Sequence, residues 1–161
     1  MLIATLLGIA AIGVPTSIQT PPRLVWNASA SAPRGLYWVA PDAIARGALL
    51  LAELPPAARR LAAERGYLPL GVLLVKRIAA LSGDVVCRTG NAVSINHHIV
   101  AQALPVDTKG RALPRWRGCQ KLGTGDVFLL VPAVADSFDG RYFGPVKRSA
   151  VIGKLVPLWT W

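Results

Sequence analysis

Acidic side chains are scarce in this sequence: eight carboxylates face 18 lysines and arginines in 161 residues, and only 16% of the chain is charged. With 53% apolar residues, so little charge excludes an intrinsically disordered chain, because there is enough apolar surface to offset the entropy of ordering. The length suits one domain with a core of ordinary size. Internal repeats and low-complexity tracts are missing, which excludes solenoids and arrays. Basic runs and RNA-binding motifs are missing too. Residues such as Arg59, Arg88, Arg111 and Lys154 are scattered along the chain, so no nucleic-acid partner is expected, and the net charge of +10 suits an anionic membrane surface instead.

Histidine and cysteine occur only twice each. His97 and His98 are neighbours in a hairpin-like stretch, where successive side chains point to opposite faces, so they read as surface residues and no metal site is supported. No cofactor is implied. Cys87 and Cys119 are an even count in a chain that reads as exported. A disulfide between them would stabilise by about 3–4 kcal/mol, and two unrelated buried thiols are the alternative.

Charge is absent altogether before Arg23. The run MLIATLLGIAAIGV, Met1 to Val14, reads as a membrane segment, although a span needs about 20 residues and Pro15, Thr16 and Ser17 interrupt it. No lysine or arginine precedes it, as a signal peptide or a positive-inside anchor would show, so the native start is expected upstream of Met1. The reading adopted is an uncleaved anchor over residues 1–20 ahead of a domain at 21–161. A cleaved signal peptide and a buried core helix are the alternatives.

Past the anchor, prolines mix with aromatics; Trp26, Tyr37 and Trp38 suit a membrane interface, or are plain core and surface aromatics. GALLLAEL (47–54) reads as a buried strand. PPAARRLAAERG (55–66) reads as a short helix with proline at its start and Gly66 past its end. The apolar run GVLLVKRIAAL (71–81) follows. From SGDVV onward the pattern is strand and turn: a hairpin at 91–100, a loop at 106–118, a strand at 125–132, a turn-rich loop at 136–146 and a final strand at 149–159. This is a mainly β domain with one short helix and an N-terminal membrane segment.

Lys76 is the residue hardest to explain by packing. Four consecutive apolar residues, Val72 to Val75, precede it, so a core strand there would desolvate its ammonium; a snorkelling lysine at a strand end is the alternative. Upstream, SASAPRGLYWV (29–39) places two hydroxyls two residues apart. A serine becomes a nucleophile when a base takes its proton, and a lysine can be that base only when neutral. Holding a lysine of pKa about 10.4 neutral at pH 7 costs about 4.6 kcal/mol, which burial can supply. A Ser/Lys dyad is therefore available where the usual histidine base is not.

SASAPRGLY, VKRIAALSGDVV and SFDGRYFGPV, in that order between Asn27 and Lys147, resemble the boxes of the type I signal peptidases. Within that family the chain resembles the conjugative-transfer, TraF-type branch. Pro33 stands two residues after Ser31 rather than three, LSGD replaces LPGD, and the Lys76–Ser137 stretch leaves little room for a large extra β domain; all three features are similar to that branch.

The resemblance implies Ser31 as nucleophile and Lys76 as general base. It also implies that the Ser29 hydroxyl and the Ser31 N–H form an oxyanion hole. Ser137 would hold the lysine, Asp139 and Arg141 would brace the site, and Gly83 and Asp84 belong to the box after the lysine. Taken alone, these last residues also read as turn chemistry or a surface ion pair.

The implied fold is a signal-peptidase-like coiled β-sheet domain whose cleft binds an extended substrate as an added strand. The implied activity is a serine endopeptidase at the inner membrane, facing the periplasm, with membrane lipid around it and pilin-like precursor proteins as substrates. The branch includes members that cyclise their pilin, so the acyl group goes either to water or to an amine. Two other readings share some of these features: a catalytically silent binding module of a conjugation or secretion apparatus, and a self-cleaving Ser/Lys repressor, for whose DNA-binding domain the short apolar N-terminus leaves no room.

Overall fold

The computed structural model describes residues 21–41 and 44–161. The anchor expected over residues 1–20 lies outside them. Among the described residues, no helix is long and apolar enough to cross a membrane.

Among the described residues, eleven strands form two antiparallel sheets. The larger has the order β1-β2-β11-β3-β4-β9-β10, and the smaller β7-β6-β5-β8. In the larger sheet, β3 (Leu49–Ala52) is buried at all four positions and pairs with β4 (Leu74–Ala80), which pairs in turn with β9 (Asp126–Leu130). Strands covered on both faces read as continuous apolar runs rather than alternating ones, which is why LLLA, LLVKRIAA and VFLLV stand out in the sequence. The long β11 (Val151–Thr160) lies between β2 (Gly35–Ala40) and β3. The short β10 (Val146–Lys147) closes the far edge.

The smaller sheet comprises β5 (Val85–Thr89), β6 (Ala92–Ile95), β7 (His98–Gln102) and β8 (Gly118–Lys121), so the Lys76–Ser137 stretch holds one compact sheet. One core joins the two: Val86, Val93 and Leu122 pack with Ala80, Phe128 and Leu130 of the larger sheet. Cys87 and Cys119 face each other across β5 and β8 and are bonded. Thiol labelling of the unreduced, denatured protein should therefore find no free cysteine.

Helix α1 (Pro56–Glu64) has its proline at the first turn, and Gly66 follows at φ +71°. Ala58 and Ala62, one turn apart, form its buried face. His97 is exposed at the tip of the β6–β7 turn, with positive φ at Asn96 and His97, and His98 is exposed beside it.

Three expectations need correction. The helix at 55–66 is not alone: residues 140–143 form a second short helix, α2 (Gly140–Phe143), and Arg148–Ala150 a 3₁₀ turn, inside stretches read as loop and strand. Four residues carry no helical periodicity; α2 exists because Asp139 caps it, its carboxylate accepting from the Arg141 N–H at 3.1 Å. The proline-rich stretch hides a hairpin of β1 (Leu24–Asn27) and β2, with Asn27 opposite Gly35. As an edge strand β1 stays largely exposed, and its residues LVWN carry no polar–apolar alternation although their burial alternates, with Asn27 inward. Tyr37 is core rather than interface, 2% exposed, its hydroxyl donating to the Pro33 carbonyl at 2.7 Å.

Trp26 is exposed, and its ring lies 6.3 and 5.3 Å from those of Trp159 and Trp161. Trp159 and Trp161 are exposed too, and their rings lie 5.1 Å apart, so the three tryptophans form an apolar cluster on the surface.

Candidate active site

Residues 28–34 connect β1 to β2 and carry both serines. Their shape is set by Asn27, a residue that sequence reasoning passed over. Its side chain is buried, and its amide nitrogen donates to the carbonyls of Ser29, Ala32 and Pro33 at 3.0–3.1 Å. Its oxygen accepts from the Ser29 N–H at 3.2 Å and the Ser29 hydroxyl at 2.8 Å. One carboxamide thus gathers the loop from within, as short Asx side chains do in turns. An asparagine preceding small residues was the available signal, but its partners are defined only once the loop has closed. The Ser31 N–H points at Ser29 Oγ, 3.4 Å away.

Lys76 comes from the interior of the larger sheet, third in β4 and opposite Leu50. It does not snorkel: it is 4% exposed. Its Nζ lies 2.7 Å from Ser31 Oγ and 2.7 Å from Ser137 Oγ. Burial lowers its pKa from 10.5 to about 8; Asp139 opposes this shift, Arg141 adds to it, and Asp136 opposes it. No carboxylate forms an ion pair with Lys76 among the described residues. Two hydroxyls serve a neutral amine as well as a charged one, so the desolvation of the ammonium outweighs the pull of Asp139 and Asp136 at a distance.

Ser137 is buried and sits just ahead of α2. Asp139 and Arg141 are 0% and 1% exposed, so they form a buried pair and not a surface one. The Asp139 carboxylate accepts from Arg141 Nε at 2.9 Å, Arg141 Nη2 at 2.8 Å and the Val131 N–H at 3.0 Å. The Arg141 guanidinium also donates to the carbonyls of Val131, Val134 and Ala135 at 2.6–3.0 Å. The loop that delivers Ser137 is thus held from both ends. Gly140 lets α2 approach β9, since a Cβ there would lie 2.6 Å from the Leu129 carbonyl oxygen.

Gly83 and Asp84 are not brought to this cluster. They form the turn from β4 into β5, beyond the other end of β4 from Lys76, with Gly83 at φ +93°. Asp84 accepts from the Leu81 N–H at 2.8 Å, Asn96 at 2.8 Å and Arg46 at 2.6 Å. Burial raises its pKa, but these three hydrogen bonds outweigh that and lower it.

A cleft of about 790 Å³ opens beside Ser31, Lys76 and Ser137, lined chiefly by apolar side chains including Val25, Leu51, Leu54, Leu74 and Phe138. At its far end Asp107 pins the loop between β7 and β8, accepting from the N–H groups of Lys109 and Arg111 at 2.9 Å and from the Tyr67 hydroxyl. A buried lysine, an accessible hydroxyl on it and an apolar cleft together can take up a proton and present a nucleophile to an extended apolar chain.

The model of the family signal peptidase, peptidase S26, matches residues 1–160. A plasmid transfer protein TraF of Escherichia coli is 36% identical over 146 residues, covering 84% of this chain and 82% of that one. A conjugal transfer protein TraF of Agrobacterium fabrum is 33% identical over 103 residues, covering 60% and 57%. Among solved structures, a signal peptidase I from Enterococcus faecalis V583 is 20% identical, with a TM-score of 0.43 over 73% of this chain and 100% of that one. With a family match across nearly the whole chain and close relatives among the TraF proteins, this chain belongs to the peptidase S26 signal peptidase family.

Proposed function

We propose that the protein is a membrane-anchored serine endopeptidase that cuts exported, pilin-like precursors during conjugative transfer, with Ser31 as nucleophile and Lys76 as general base. The observation that carries this reading is the buried Lys76 amine, 2.7 Å from the Ser31 hydroxyl and held on its other side by Ser137.

In the reaction, neutral Lys76 takes the Ser31 proton as Oγ bonds to the scissile carbonyl carbon. The Ser31 N–H and the Ser29 hydroxyl lie beside each other to receive the oxyanion; the Ser29 proton turns to it from Asn27, and the 3.4 Å contact between the two serines gives way. The Lys76 ammonium then protonates the leaving amine as the C–N bond breaks, and water or an amine releases the acyl group from Ser31. Asp139 and Arg141 keep the loop carrying Ser137 in register with the amine. The edge strand β1 lines the cleft and, among the described residues, pairs with a strand on one side only, which supports binding of the substrate as an added strand.

A location at the inner membrane, with the domain facing the periplasm, is supported by the uncharged run Met1–Val14, the disulfide and the exposed Trp26, Trp159 and Trp161.

Incubation of the full chain with candidate pilin precursors, read by intact mass, tests the proposal. Cleavage at small residues that depends on Ser31 is the expected result; a precursor left whole by an acylation-competent enzyme would exclude it as substrate. A product one water lighter than the linear fragment would identify an amine as the acceptor.

The rate of Ser31 acylation should climb about tenfold from pH 6 to pH 7 and level off above about 8, because only unprotonated Lys76 acts as base. The unfolded chain holds that proton up to about 10.5 and the folded chain releases it near 8, so unfolding free energy should rise with pH across that window. A rate independent of pH over the lower range would remove Lys76 from the role.

A further inference from the structure

Arg88, in β5 of the smaller sheet, is 1% exposed and has only backbone carbonyls as hydrogen-bond partners among the described residues. Its Nε donates to Gly90 at 3.2 Å, and its Nη1 donates to Pro114 at 3.2 Å and to the Arg141 carbonyl. Nη2 is buried without a partner among the described residues, and the guanidinium carbon lies 6.0 Å from the centre of the Tyr142 ring. A buried cation without a counter-charge is costly, so packing alone is a poor reason for it.

The target of this arginine is α2. A helix of four residues leaves most of its carbonyls without an intrahelical donor, and the Gly140 carbonyl, which accepts from the Gly144 N–H at 3.0 Å, accepts also from the Trp116 indole N–H at 2.9 Å. Both donors come from the smaller sheet or the loop entering it, on segments joined by the Cys87–Cys119 bond: Arg88 follows Cys87, and Trp116 stands three residues before Cys119. On its other side α2 presents the Arg141 guanidinium to the carbonyls of Val134 and Ala135, and the Ser137 N–H donates to the same Val134 carbonyl at 3.2 Å.

We propose that Arg88 and Trp116 are positioning residues: the smaller sheet grips the backbone of α2 and thereby sets where Ser137 holds Lys76. The proposal rests on the reading of Lys76 as the base.

Arg88→Lys keeps a cation but lacks the rigid planar fork that spans the carbonyls of Gly90, Pro114 and Arg141, and Trp116→Phe keeps an aromatic ring but loses the N–H. The first test is amide hydrogen exchange on the full chain. Residues 134–144 should exchange faster in either variant while β3 and β4 keep their protection; unchanged exchange at 134–144 would overturn the clamp.

The second test is the burst of p-nitrophenolate from the p-nitrophenyl ester of a blocked Ala-Ala dipeptide. Arg88→Lys should slow it about tenfold, as loss of one strong positioning contact does, with the ester concentration at half-maximal rate unchanged. In a Ser137→Ala background the same substitution should cost less than about twofold, because both act through one contact. An equal loss in both backgrounds would show that Arg88 does not work through Ser137, and would sink the proposal. If the wild-type chain gives no Ser31-dependent burst, the peptidase reading falls, and the exchange measurement still decides the clamp.

Discussion

Ser31→Ala and Lys76→Ala are each expected to abolish precursor cleavage, by on the order of 10⁴-fold or more, and the double variant should be no worse than either single one. The reason lies in the geometry: with Nζ 2.7 Å from Oγ, attack and proton removal are one event, and either loss removes both. Lys76→Arg should be equally inactive, since a guanidinium stays charged at any working pH and would have to be buried so. Stability should move the other way. Lys76 is 4% exposed and among the described residues its amine bonds to two hydroxyls, so replacing it by methionine removes a desolvation cost and should hold or raise the melting temperature. A Lys76→Ala enzyme with near-normal cleavage of a verified precursor would end the dyad assignment.

Asp139→Ala should have the largest effect on stability, about 3–5 kcal/mol in urea unfolding, a large part of what a domain of this size holds. The carboxylate accepts four hydrogen bonds, from the Val131 N–H, the Arg141 N–H and two guanidinium nitrogens. Its removal strands the Arg141 cation, which is 1% exposed. Asp126, paired with Lys147 at 2.8 Å, is the contrast: the lysine side chain is 75% exposed, and Asp126→Ala should leave the unfolding midpoint almost unmoved. If the Asp139 and Asp126 variants unfold at the same urea concentration, the buried pair does not brace the loop.

How much of this was readable in the chain depended on the range of the interaction. Strands β3, β4 and β9 were recognisable because full burial demands unbroken apolar runs, and α1 because proline and glycine bound it. Strand β1 and helix α2 were not: an exposed edge strand has no alternation to see, and a four-residue helix held by Asp139 owes its existence to a cap and to carbonyls gripped from another sheet. The chain order of Ser31, Lys76 and Ser137 was visible as motifs, and a lysine after four apolar residues already pointed to an uncharged amine.

What the sequence by itself determined is the chemistry on offer: two hydroxyls on a short connector, one lysine in a strand bound for the core, and two cysteines. What only the tertiary structure decided is which of these meet. Ser31, Lys76 and Ser137 come from three separate segments, and their convergence depends on β1 and β4 being placed in one sheet and on the Ser137 loop folding back along β9. The same holds for Asn27, Arg88 and Trp116. Each acts by donating to backbone carbonyls, groups that every residue carries, and therefore leaves no trace in residue identity until the fold brings a particular carbonyl within reach.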